Sequence, residues 1–232
     1  MLFRQFFDKT SSTYTYLIAS GRGREALIID PVKESTEAYL GLINQLDLKL
    51  VRAIDTHTHA DHVTALGDLR DATQCVTIMG EFTNAECVSE HVSEGDRIDI
   101  DGIRLEAIYT PGHTDESFSF YWNQGDQKAV FTGDVLLIRG SGRTDFQGGD
   151  PRKSYDSIVN KLFRLPDDTL VYPAHDYKGM LSSSIYEEKH YNPCLAGKSE
   201  AEYARIMNNL NLPDPKLMDV AVPANLACGK QP

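Results

Sequence analysis

The stretch AIDTHTHADHVTAL, residues 53–66, places three histidines and two aspartates between an apolar run and an apolar-periodic one. Imidazole and carboxylate are the donors that borderline divalent metals prefer, so this chain must adopt a fold that can use them together. LKLVRAID (48–55) reads as a buried strand, and the spacing of Val63, Leu66 and Leu69 predicts a helix from His62 to Thr73. The histidines therefore fill a strand-to-helix junction, where sites commonly lie. Along an extended strand His57 and His59 share a parity and can face one ion, while Asp61 and His62 begin the helix and point elsewhere. Two half-sites result. A polar loop capped by Asp61 would not explain why spacing and placement agree.

Other apolar runs stop in the same way. RIDIDGIRLEAIYTPGH (97–113) alternates about Asp101-Gly102 and ends at His113, KAVFTGD (128–134) ends at Asp134, and TLVYPAH (169–175) ends at His175. If all terminate strands of one α/β sandwich at a shared rim, then His57, His113, Asp134 and His175 meet. A carboxylate ending an apolar strand needs a partner against its desolvation cost, and a metal is the simplest one for Asp134. Taken singly, His113 could close a turn and His175 could hydrogen-bond a carbonyl. His91 and His190 read as ordinary structural histidines.

Elsewhere YTYLIAS (14–20) and EALIIDP (25–31) form a hairpin, and 36–46 has helical spacing. Asp150-Pro151 opens a helix with Tyr155, Ile158, Val159, Leu162 and Phe163 as its apolar stripe. Ser199 and Glu202 form a capping box for a helix burying Tyr203, Ile206 and Leu210. From Val220 no period is clear, and the tail is expected to wrap the surface. With 232 residues and no internal linker, the chain reads as one domain, 1–232, with a short helical C-terminal extension from about 180.

A net charge of −11 with no basic stripe excludes nucleic acid as a partner. No apolar stretch approaches the ~20 residues of a membrane helix, and Arg4, Asp8 and Lys9 interrupt what a secretory signal would need. Cys75, Cys87, Cys194 and Cys228 stand far apart with no CxxC pair, so free thiols and a cytoplasmic location are expected.

HxHxDH at 57–62, His113, TGD ending at Asp134, and His175 resemble the ligand set of the metallo-β-lactamase fold superfamily over most of the chain. Within it, IRGSGRTDFQGG (138–149), YPAHDYKG (172–179), NNLNLPDPK (208–216) and DVAVPAN (219–225) resemble the persulfide dioxygenases. The resemblance implies an αββα four-layer sandwich and one non-haem Fe(II) per chain, held by His57, His113 and Asp134, with His59, Asp61, His62 and His175 behind them. It further implies oxidation of glutathione persulfide by O2 and water to sulfite and glutathione, a step of sulfur metabolism and hydrogen sulfide detoxification, and a homodimer. Asp61 and His175 are the candidates for orienting the ligands. Glutathione carries two carboxylates, so Arg139 and Arg143, beside Gly140 and Gly142, are the candidate clamp. Arg143 has an alternative in an ion pair with Asp145 or Asp176. Tyr177 is placed to hydrogen-bond the ligand's peptide.

Physical argument alone does not choose the metal. Seven inward ligands suit a dinuclear zinc hydrolase as well, whereas two imidazoles and one carboxylate leave positions open for oxygen chemistry that zinc cannot perform. The rival reading is a glutathione thioester hydrolase of the glyoxalase II type, which carries a longer helical C-terminal domain and a loop unlike GRTDFQ. A metal-binding redox sensor would need thiols near the metal, which the scattered cysteines do not suggest.

Overall fold

Apolar runs separated by glycine turns become strands in the computed structural model of the chain, which describes residues 1–125, 127–215 and 217–230. Lys216, Gln231 and Pro232, at the C-terminal side of the motif and extension read above, therefore lie outside the described residues. Backbone contacts group the chain into two compact units, one of Met1–Val92, Ile98–Arg104 and the segment from Asp214, the other of Ser93–Arg97 and Leu105–Pro213.

The first unit carries a six-stranded sheet in chain order: β1 (Leu2–Asp8), β2 (Thr13–Ala19), β3 (Glu25–Ile29), β4 (Lys49–Ile54), β5 (Val76–Gly80) and β6 (Glu90–Val92). The expected hairpin is β2 with β3, antiparallel from Tyr16 opposite Ile29 to Ala19 opposite Ala26. From β3 onward the strands run parallel, which demands crossovers; α1 (Thr36–Gln45) and α2 (Leu66–Thr73) supply the first two. Tyr39 and Ile43 of α1 and Leu66 and Leu69 of α2 pack with Leu17, Ile28, Leu50 and Ala53 in one core.

Two expectations change here. Helix α2 opens at Leu66 rather than His62, because Thr64 pairs with Val32 as an antiparallel bridge and the Ala65 N–H donates to the Pro31 carbonyl at 2.8 Å. Asp61 and His62 consequently sit in a loop. The tail from Val220 does not wrap the surface without order: residues Met218–Leu226 form a helix, and Ala221, Ala224 and Asn225 are buried. It lacks a clear period because Pro223 interrupts the pattern.

A second sheet is ordered β14-β13-β10-β9-β8-β7, where β7 is Arg97–Ile100, β8 Ile103–Tyr109, β9 Phe118–Gln124, β10 Gln127–Gly133, β13 Leu170–Pro173 and β14 Ser183–Ser184, and its residues from Leu105 onward belong to the second unit. A small hairpin of β11 (Leu136–Leu137) and β12 (Gly140–Ser141) follows β10. Asp150 caps α3 (Pro151–Asp156) by accepting the Arg152 and Lys153 N–H groups at 2.7 and 3.2 Å. The helical path continues through Arg164, so Ile158 and Leu162 reach the core with Val130, Val171 and Tyr203. Ser199 and Glu202 form the expected capping box on α5 (Glu200–Asn208), which buries Tyr203 and Met207, with Ile206 and Leu210 only partly covered. The C-terminal extension is thus divided: α4 (Ile185–Tyr191) and α5 belong to the second unit and the helix Met218–Leu226, α6, to the first.

Cysteine usage also departs from expectation. Cys87 and Cys228 form a disulfide across 141 residues, while Cys75 and Cys194 are free. The return of α6 to the first sheet joins them, and spacing alone could not show it; the cysteine argument for a reducing compartment does not carry over. Among the described residues no helix is long and apolar enough to cross a membrane.

Candidate metal centre

Each candidate ligand follows the end of a strand. His57 comes three residues after β4, His113 four after β8, Asp134 directly after β10 and His175 two after β13. His57 belongs to the first unit and the other three to the second.

In the first unit, Asp55, Thr56 and His57 are each 1% exposed and His59 is fully buried. His57 Nδ1 lies 3.0 Å from the Thr56 hydroxyl. Sequence parity paired His57 with His59, and their rings do lie 4.1 Å apart between centroids. The loop is not a regular strand, however: the His59 ring also lies 4.3 Å from that of His62, tilted by 38°, and His59, Asp61 and His62 present ligand atoms within 4.8 Å of one another. Asp61 Oδ2 stands 3.0 Å from His62 Nδ1, and Thr13 Oγ1 donates to the same carboxylate oxygen at 3.2 Å.

Asp30 is the residue that sequence reading missed. It ends β3, just as Asp134 ends β10, and the same signal could have found it. Its Oδ1 accepts the Thr56 N–H at 2.7 Å and lies 3.2 Å from His59 Nε2, and its Oδ2 accepts the Thr56 hydroxyl at 3.1 Å. Asp30, Asp55 and His59 form a second buried group of potential donors within 4.8 Å. Burial by itself would favour neutral His59, but Asp30, through charge and hydrogen bond, and the charges of Asp55 and Asp61 raise its pKa to about 9. This pocket is built for positive charge.

In the second unit His113 Nδ1 lies 2.7 Å from the Arg143 carbonyl. A carbonyl only accepts, so the ring proton is on Nδ1 and Nε2 carries the lone pair. That Nε2 is 3.6 Å from Asp134 Oδ2. The other carboxylate oxygen, Oδ1, is 2.6 Å from His175 Nδ1. His175 is 1% exposed, and because a carboxylate only accepts, its Nδ1–H is the donor in that contact. Gly142 makes the arrangement possible, since a Cβ there would lie 2.0 Å from the Asp134 carbonyl and 3.0 Å from His113 Nδ1. Gly140 has no such neighbour closer than 3.8 Å.

The candidate substrate residues fare differently. Arg139, read as a clamp, is held by Glu187 and by fully buried Glu188, whose Oε2 also accepts the Arg139 N–H at 3.0 Å. Its guanidinium is thus ion-paired within the chain; Glu188 left no sequence signal because it sits one turn inside an ordinary helix. Arg143 makes the ion pair with Asp145, donating to both of its carboxylate oxygens at 2.7 and 2.9 Å, and donates to the Pro213 carbonyl at 2.7 Å. The guanidinium hydrogen bonds hold the Asp145 carboxyl below its ordinary range. Tyr177 is 73% exposed, with its ring stacked 6.0 Å from His175.

Residues 9–175 match the model of the metallo-beta-lactamase superfamily. The mitochondrial persulfide dioxygenase ETHE1 of mouse is 46% identical over all of this chain and 90% of its own length, and the human protein of that name is 45% identical over the same shares. A crystal structure of ETHE1 from Myxococcus xanthus, 53% identical, superposes with a TM-score of 0.94 and covers 99% of this chain and 100% of that one. A metallo-beta-lactamase from Staphylococcus aureus, 25% identical, superposes at 0.89 over 100% of this chain and 73% of its own.

Proposed function

The chain belongs to the metallo-β-lactamase superfamily and, within it, to the persulfide dioxygenases, and on that premise we propose that it oxidises glutathione persulfide with O2 and water to sulfite and glutathione. It is an enzyme of persulfide oxidation, with the metallo-β-lactamase fold. The thioester hydrolase reading is not favoured, since the relatives that match the chain from end to end are named as persulfide dioxygenases.

In this proposal one Fe(II) per chain is held by His57, His113 and Asp134. The donor set fits. Two donors on one first-row ion, each roughly 2.1 Å from it, stand at most about 4 Å apart, and His113 Nε2 and Asp134 Oδ2 are separated by 3.6 Å. Two imidazoles with one carboxylate also match the non-haem iron class of site. When bound, ferrous iron supplies the redox chemistry that joins both atoms of O2 to the terminal sulfur.

The chain's own residues do the rest. The Arg143 carbonyl fixes the tautomer of His113, and His175 holds Asp134 through Oδ1 while Oδ2 faces His113 Nε2. His59 is turned to Asp30, and His62 to Asp61, so these residues shape the loop that carries His57. Exposed Tyr177 is suited to the peptide of glutathione. Arg143 remains a candidate for a glutathione carboxylate because its partner Asp145 is half exposed, and an ion pair at such a site is worth only about 0–1 kcal/mol; exchange for a substrate carboxylate is therefore inexpensive.

The single observation that carries this reading is the lone-pair face of His113 turned toward Asp134, each backed by its own hydrogen bond. Anaerobically purified protein is expected to consume O2 only when glutathione persulfide is added, releasing one sulfite per O2. Rapid thioester hydrolysis with no persulfide-dependent O2 uptake would overturn it.

A further inference from the structure

Asn225 lies in DVAVPAN, a motif whose role the function above does not absorb. It is 3% exposed, on α6, and its amide is directed at the metal-binding loop more than 160 residues earlier. Its Oδ1 accepts the Thr64 N–H at 2.8 Å, and its Nδ2 donates to the His59 and His62 carbonyls at 2.8 and 2.9 Å. A side-chain amide has one acceptor oxygen and two N–H donors, so every hydrogen of this amide serves residues 59–64. Without it two buried carbonyls and one buried N–H would need new partners, each at a cost.

The segment after Asn225 is pressed into the same loop. The Gly67 N–H donates to the Cys228 carbonyl at 2.9 Å, and Lys33 donates its ammonium to the Gly229 carbonyl. Gly229 has φ +76°, and a Cβ there would lie 2.0 Å from the Thr64 carbonyl, so only glycine permits this approach. Between them sits Cys228, bonded to Cys87. All of these groups belong to the first unit.

We propose that Asn225 is a positioning residue for the His57–His62 loop, and that the Cys87–Cys228 disulfide fastens it there, making the shape of the loop sensitive to thiol reductants. The proposal rests on the reading of His57 as a metal ligand only for its catalytic consequence. Asn225 touches no reacting atom; it acts through the carbonyls on either side of Asp61 and so on the backbone that aims His57. Opening the tether is a two-electron step: a dithiol reductant gives two electrons and two protons, the Cys87–Cys228 S–S bond becomes two thiols, and the reductant closes to its own cyclic disulfide. Loss of the bond leaves α6 attached by its hydrogen bonds and by the burial of Ala221 and Ala224.

The test begins with metal-free full-length protein, so that failure of the iron reading is separable. Amide hydrogen exchange at 59–66 is expected to rise by about tenfold or more in Asn225→Ala and Asn225→Asp, one hydrogen bond's worth or more, while β9 and β10 exchange as before. Asn225→Asp keeps the acceptor for Thr64 but sets a carboxylate against two carbonyl oxygens, so its loop is expected to be the looser of the two at 59–62. Cobalt(II) loaded as a probe is expected to show a shifted visible band per bound metal in either variant, a change that loss of global stability alone would not produce. Should these variants fail to fold, Cys228→Ser and dithiol-treated wild type carry the test: both are expected to show faster exchange at 59–66, and dithiol is expected to leave Cys228→Ser unchanged. Exchange and cobalt spectrum equal to those of the untreated wild type would overturn the proposal. A wild type that binds no iron yet shows the expected exchange pattern would count against the iron reading and not against Asn225.

Discussion

At the scale of single residues, the candidate site is a set of donors whose protons and lone pairs are assigned by their neighbours. His113 is told which nitrogen to protonate by a backbone carbonyl, that of Arg143, and Asp134 is told which oxygen to turn by His175. His57, His113, Asp134 and His175 could be read from the sequence because each interrupts an apolar run at its end. Asp30 carried the same signal in EALIIDP, but that run reads first as a strand of the N-terminal hairpin and draws no attention to its terminal carboxylate. The Arg143 carbonyl could not have been found, since a backbone group has no residue type. Replacing His175 with Gln keeps a donor in the site but not the ring geometry; iron affinity is expected to fall about 10–100-fold, the usual effect of losing an orienting partner, as measured by competition with a chelator. Unchanged affinity would remove His175 from the site. Gly142→Ala forces a methyl to within 2.0 Å of the Asp134 carbonyl, and its strain is expected to destabilise the protein by about 1–3 kcal/mol in urea unfolding. A wild-type midpoint would show that the strand end after β10 gives way easily.

Elements were legible where period and caps agree. The β2–β3 hairpin, α1, the capped α3 and the Ser199–Glu202 box all lie where alternation, helical spacing and cap chemistry put them. The start of α2 was misplaced because Val63 continues the helical spacing, yet tertiary pairing of Thr64 with Val32 takes precedence over it. Helix α6 was missed for the opposite reason: Pro223 and scattered small residues hide its period, while what orders it is a disulfide and one asparagine amide, both long-range. Caps should act locally. Asp150→Ala removes the acceptor for two N–H groups of α3 and is expected to cost about 1 kcal/mol, lowering the melting temperature by about 2–4 °C with turnover per bound iron intact. A loss of turnover without a loss of stability would mean that α3 does more than support the His113 loop through the Asp150 N–H to Gly112 contact.

At the scale of the whole molecule, His57 lies in the first compact unit and His113 and Asp134 in the second, and this is why no local stretch of sequence could carry the full set of candidate ligands. HxHxDH alone suggests a metal; only the residues far downstream separate an oxygenase from a hydrolase. Net charge and apolar-run length argued against nucleic acid and membrane helices but said nothing of iron. The central proposal is that His57, His113 and Asp134 hold one redox-active ion, and it is tested most directly by counting metal. Elemental analysis of anaerobically purified protein is expected to find close to one iron per chain, and none in His57→Ala, His113→Ala or Asp134→Ala that remain folded by circular dichroism. Two zinc ions per chain, or iron retained at wild-type levels in any of these variants, would contradict the account.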